Sequence, residues 1–179
     1  LAYAYLAPEL VGTLYSEDVA LWRVAVVDLV TKRVTELGVG FAPQFVSEAP
    51  RVILFSTPDG VTMVNLSTTE QRVFNEFPVL YTPHAARVSP DGQRLAVHNP
   101  TTRHYSIFTI TDPEAFDISA LGEVPTSLSP VALSNTALYG VQRDEASNIF
   151  SLWRYPLEDL KPLEAHGTLL FTVESGFIP

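Results

Sequence analysis

The chain has 179 residues, 46% of them hydrophobic and 17% charged, which is ample for a packed core and excludes an intrinsically disordered polymer. Eleven Lys and Arg against 20 Asp and Glu leave a net charge of −9, so the cationic footprint that nucleic acid or an anionic bilayer requires is missing. The lack of cysteine rules out disulfides and thiolate metal sites, no apolar run approaches the roughly 20 residues of a spanning helix, and 14 scattered prolines disfavour long helices.

In chain order, Leu1 to Leu6 reads as a strand, followed by a long loop from Ala7 to Glu17 that carries Glu9, Tyr15 and Glu17. Ala20 to Leu29 and Arg33 to Leu37 form a hairpin. Leu21, Val24, Ala25 and Leu29 also share a helical face, but the abundance of Val and the adjacent partner favour strand. The next group is Phe41 to Ser47, Arg51 to Ser56, Val61 to Leu66 and Gln71 to Phe74. Thr57-Pro58-Asp59-Gly60 turns its middle hairpin: Pro presets φ, Asp bonds back to its own backbone, and Gly takes the positive φ. Ala85 to Ser89, Arg94 to His98, Tyr105 to Thr111 and Phe116 to Leu121 repeat the plan, with turns at Ser89-Pro90-Asp91-Gly92 and Asp112-Pro113-Glu114. Pro130 to Leu133, Ala137 to Gln142, Ile149 to Tyr155 and Thr168 to Val173 complete it.

These groups are copies of one another. Arg87-Val-Ser-Pro-Asp-Gly-Gln-Arg-Leu-Ala-Val97 is the sharpest copy, and weaker ones run from Phe45 to Phe55 and from Val131 to Val141. Their serines, Ser47, Ser89 and Ser134, fall 42 and 45 residues apart. Four short strands per period of this length describe an all-β fold of β-propeller blades, each with four antiparallel strands. Val52-Ile-Leu-Phe55 and Leu138-Tyr-Gly-Val141 are apolar on both faces, as befits strands covered by a sheet on either side. Aligning Leu1 to Leu6 with the second strand of the other units leaves the first unit without its innermost strand. The expectation is one partial domain over 1–179, with units at about 1–39, 40–80, 81–126 and 127–179: some three and a half blades of an incomplete, open propeller. Ser175-Gly-Phe-Ile-Pro179 resembles Val39-Gly-Phe-Ala-Pro43, so both ends look severed and a longer parent protein is expected.

Ser89-Pro-Asp-Gly-Gln-Arg-Leu-Ala-Val97, with Val26-Val-Asp-Leu29 and Val64-Asn-Leu66, resembles the WD-like repeats of TolB and of the N-terminal propeller of dipeptidyl-peptidase IV-type enzymes. Gly-His and Trp-Asp dipeptides do not occur, which points to the looser bacterial type. The resemblance implies a non-catalytic module that presents loops to another protein, in an extracytoplasmic (periplasmic or exported) setting. The alternative is the substrate-gating propeller of a serine peptidase of the prolyl-oligopeptidase or dipeptidyl-peptidase type, whose nucleophile lies in a separate domain.

Catalytic signatures are missing: there is no Gly-x-Ser-x-Gly elbow, His-Glu-x-x-His helix, phosphate loop or Asp-rich calcium loop. His84, His98, His104 and His166 have no metal spacing, so no metal or other cofactor is expected. Asp59, Asp91 and Asp112 occupy turns that favour Asp for backbone reasons. Propeller topology gathers the loops between second and third strands with the crossings between blades, around the channel mouth. Gln44, His84 and Arg87 at the crossings and Arg103, His104, Arg143 and Asp144 in the loops are therefore the candidate binding residues. Trp22 and Trp153 read as equivalent third-strand packing residues. The expected partner is another protein or the missing blades, without nucleic acid and without a membrane span in this segment.

Overall fold

The computed structural model describes residues 3–6, 8–18, 22–77, 86–99, 101–125, 129–144, 149–158, 160 and 167–174. Among these residues there is no α-helix, hence none long and apolar enough to cross a membrane. The described strands form four antiparallel sheets of four. The first sheet holds β1 (Tyr3–Leu6), β2 (Glu9–Leu14), β3 (Arg23–Asp28) and β4 (Val34–Val39). The second holds β5 (Phe41–Glu48), β6 (Arg51–Thr57), β7 (Gly60–Asn65) and β8 (Gln71–Phe74). β9 (Ala86–Val88), β10 (Arg94–Asn99), β11 (His104–Asp112) and β12 (Asp117–Pro125) form the third. β13 (Ser129–Leu133), β14 (Ala137–Asp144), β15 (Ile149–Pro156) and β16 (Thr168–Glu174) form the fourth. Each sheet is a meander in chain order, which short turns between antiparallel neighbours dictate.

The first sheet corrects the sequence reading, since it has all four strands and the count is four blades. Leu6 pairs with Glu9 across Ala7-Pro8, and Glu9–Leu14 is the second strand where a loop was expected. Inside it Val11 and Thr13 are buried, the alternation of a strand with one face covered. Arg23–Asp28 is strand β3, as the abundance of Val favoured over a helix. Trp22 precedes β3 whereas Trp153 lies within β15, so the two tryptophans are not equivalent.

Side-chain alternation joins the sheets face to face. Ile53 and Phe55 of β6 pack with Val11, Val24 and Val26 of the first sheet. Their neighbours Val52 and Leu54 pack with Leu95, Val97, Phe108 and Ile110 of the third. Ala96, Tyr105 and Ile107 then meet Leu133, Leu138 and Leu157 of the fourth. A one-residue change of register would invert every face, so the apolar runs fix the order of the sheets. Each fully buried Leu, Ile or Phe in these seams contributes about 1.5–3 kcal/mol. The first strands also touch in succession, β1 against β5, β5 against β9 and β9 against β13, which places one edge of every sheet at a common inner wall.

Turn chemistry holds the blades in place. Ser89 Oγ donates to Asp91 Oδ1 at 2.6 Å and accepts the Arg94 N–H at 2.9 Å, while the Gly92 N–H donates to the Ser89 carbonyl. Gly92 has φ 70°, and a Cβ there would run into the Val46 carbonyl of the preceding blade. The Asp91 N–H reaches Asn135 Oδ1 of the following one at 3.2 Å. Asp28, Asn65 and Asp112 close the third strands of three blades alike, each Oδ1 accepting the N–H groups two and three residues on.

Candidate functional site: the loop face at the inner wall

The loops from β2 to β3, β6 to β7, β10 to β11 and β14 to β15 leave the same end of their sheets as the crossings from one blade to the next, because the strands alternate in direction. The first of these loops is braced by aromatic contact. Trp22 lies edge-on between Tyr15, 4.6 Å away, and Phe41, 5.8 Å away, and its indole N–H donates to the Ser16 carbonyl at 2.9 Å. Tyr15 remains 45% exposed on this brace, a half-open aromatic surface that sequence reading placed in a loop without its support. The clue was the pairing of one aromatic on either side of the loop.

In the third blade, Asn99 Oδ1 accepts the N–H groups of Thr101 and Thr102 at 3.0 and 3.2 Å and fixes the loop that carries Arg103. Arg103 takes φ 57°, a left-handed backbone in which its exposed side chain projects from the turn. His104 Nδ1 lies 3.1 Å from Glu123 Oε2, and Ser106 Oγ lies 3.4 Å from the other carboxylate oxygen. That pair is partly exposed and screened, so it orients the imidazole more than it stabilises the fold. In the fourth blade, Arg143 and Asp144 end β14 and are exposed, with the Arg143 guanidinium 5.7 Å above the Phe150 ring.

The other candidates lie in the seams. Gln44 spans two blades: its Nε2 donates to the Ala86 carbonyl at 2.9 Å and its Oε1 accepts the Val88 N–H at 3.0 Å. The amide thus supplies the pair of hydrogen bonds that a further strand would make to β9. Arg87 stands opposite Ala96 in the register, on the face turned to the fourth blade, with Tyr105 and His98 further along that face. Burial lowers the Arg87 and His98 pKa values and raises that of Tyr105 well above the ordinary phenol range, with the Arg87 charge opposing that rise. His84 falls outside the described residues. The structure therefore brings Arg103 and His104 to the same end as Arg143 and Asp144, on adjoining blades. Arg87 sits in the seam between those blades, and Gln44 in the seam before them.

The opposite end carries a cleft of about 690 Å³ between the second and third blades, bordered by Glu48, Asp91 and Thr111. Asp91 is engaged there by Ser89 and the Gln93 N–H, which leaves it a turn residue. Asn65, which begins an Asn-Leu-Ser triplet, is buried and accepts two N–H groups, so it too is structural. Among the described residues, no three His, Asp or Glu side chains converge as a metal site would require.

No family model matches the chain, and no curated protein matches it in sequence. Solved structures do. The β-propeller domain of Cps50 (Swd1) from Myceliophteria thermophila is similar at TM-score 0.60 and 14% identity, over 98% of this chain and 58% of that one. The β-propeller domain of the Trilobed protease from Pyrococcus furiosus, with an open velcro topology, gives 0.58 and 10% over 95% and 57%. TolB from Acinetobacter baumannii gives 0.52 and 12% over 84% and 38%. These likenesses establish the fold: the chain is an open run of β-propeller blades. It spans less than two thirds of the length of each of these structures.

Proposed function

We propose that this segment is a non-catalytic, TolB-like binding module whose loop face receives an acidic stretch of another protein. The observation that carries the reading is the display of Arg103 and Arg143 at one end of adjoining blades in a chain of net charge −9. An anionic segment would be drawn to this rim, and the Asn99 cap and the Phe150 ring reduce the ordering cost of holding both cations. Half-exposed Tyr15 offers an apolar contact on the same face.

Fluorescence anisotropy with a labelled glutamate-rich peptide tests this. Binding that weakens with added salt, and at least ten-fold in the double variant Arg103→Glu/Arg143→Glu, is the expected result. No binding by the parent protein, or equal binding by the variant, would overturn it. The other reading, a substrate-gating propeller of a serine peptidase, differs in one observable. The parent polypeptide would then carry a Gly-x-Ser-x-Gly nucleophile and hydrolyse a peptidyl ester, and the loop face would act as a filter.

A further inference from the structure

A groove runs between the outer strand of the first blade and the facing side of the second, and ends at the β6–β7 turn of the loop face. One wall is a bulge in β4. Gly38 pairs with Val24 and Glu36 with Ala25, so Leu37 is an extra residue in that strand, and a Cβ at Gly38 would meet nothing within 4 Å. Phe55, Thr62 and Val73 stand opposite one another across β6, β7 and β8 and form the other wall. The space between is about 320 Å³, bordered by Leu37, Val39, Phe55 and Val73 along its length and by Thr57 and Asp59 at the turn. Val39 and Val73 are partly exposed, so the groove is open to solvent.

Thr57 is only 8% exposed, and its Oγ1 has no hydrogen-bond partner among the described residues. A buried hydroxyl without a partner costs stability, so one that borders a groove marks where the polar group of a ligand would sit. We propose that the groove takes a lysine side chain of a partner protein. The four-carbon stem lies along Leu37, Val39, Phe55 and Val73, and the ammonium sits between Thr57 Oγ1 and the carboxylate of exposed Asp59. A purely apolar side chain would leave the hydroxyl unpaired, and an acidic one would meet Asp59 in a chain of net charge −9. An arginine head would bring five donors to these two acceptors, whereas an ammonium has three and turns the third to water at the mouth. The groove belongs to the first two blades and the arginines of the loop face to the last two, so the proposal does not rest on the acidic-peptide reading.

Methyl nuclear magnetic resonance of the complete polypeptide tests this, with the peptide acetyl-Ala-Ala-Lys-Ala-Ala-amide and its norleucine counterpart as probes. The lysine peptide should shift the methyls of Leu37, Val39 and Val73 saturably and bind at least five-fold more tightly than the norleucine peptide. Thr57→Val should weaken it at least three-fold with a urea midpoint no lower than that of the unsubstituted protein, because an unpaired hydroxyl contributes nothing to the fold. Asp59→Asn should weaken it too, Val73→Trp should fill the groove and abolish binding, and Arg103→Glu/Arg143→Glu should leave it unchanged. Equal affinity for the two peptides, undiminished binding in Thr57→Val, or no shift at these methyls would overturn the proposal. A lower midpoint in Thr57→Val would overturn it by showing the hydroxyl bonded within the fold, as would loss of lysine binding in the double arginine variant, which would put the peptide elsewhere.

Discussion

At the scale of single residues, the seam between the third and fourth blades holds three groups whose titration burial shifts, Arg87, His98 and Tyr105. Burial keeps the Tyr105 hydroxyl protonated, outweighing the pull of the nearby Arg87 charge. An unfolded tyrosine ionises near pH 10. Above that pH the folded chain therefore binds more protons at this site than the unfolded chain, and stability falls as pH rises through about 10. Urea midpoints between pH 8 and 11 should show this alkaline loss, and Tyr105→Phe should make it shallower. An unchanged slope in the variant would show that the hydroxyl is as solvated in the fold as outside it. His98 has the opposite dependence: burial depresses its pKa, so its contribution is present above the unfolded imidazole value and is lost on acidification. Between the first two blades, Arg51 Nη1 lies 2.7 Å from Glu9 Oε2, off the axis of a good hydrogen bond. It is a charge contact across the seam, partly screened, and contributes little by itself.

At the scale of elements, the inner strands are linked by side chain as well as by packing. The Gln44 amide substitutes for a strand at the β9 edge, so removing it leaves the Ala86 carbonyl and Val88 N–H unpaired in a part-buried place. Gln44→Ala should destabilise the fold by about 1–3 kcal/mol, read from urea unfolding. Gln44→Glu should lose part of that, since a carboxylate accepts from Val88 but cannot donate to Ala86. A neutral alanine variant would contradict the clamp. Such a link joins positions 42 to 44 residues apart, and nothing local in the sequence announces it. The turns were a different matter. Ser89-Pro-Asp-Gly92 and Thr57-Pro-Asp-Gly60 carry their conformations in their residue types, so the strands flanking these two turns were legible to within a residue, whereas β12 runs four residues past the expected Leu121. Ala7-Pro8 has neither Asp nor Gly, and Gly12 interrupts the strand that follows it. The first blade was therefore misread by one strand, although Val11 and Thr13 already alternated with their neighbours. The loop face followed from topology once the strands were placed. Which of its residues would be absorbed by the fold, as Gln44 is, depended on contacts between blades.

At the scale of the whole molecule, each internal sheet is apolar on both faces because each has two neighbours, and the end sheets keep that character. The fold thus positions its loop face by a succession of apolar seams, and a shift at one seam would tilt every later loop with it. The arrangement of sheets about a common inner wall is the claim on which the loop face and the clamp both rest. Methyl nuclear Overhauser spectroscopy tests it most directly, because Ile53 and Leu54 are adjacent in sequence and face different blades. The account predicts cross-peaks from Ile53 to methyls of Val11, Val24 or Val26, and from Leu54 to those of Leu95 or Val97. Cross-peaks from both residues to the same sheet would contradict it.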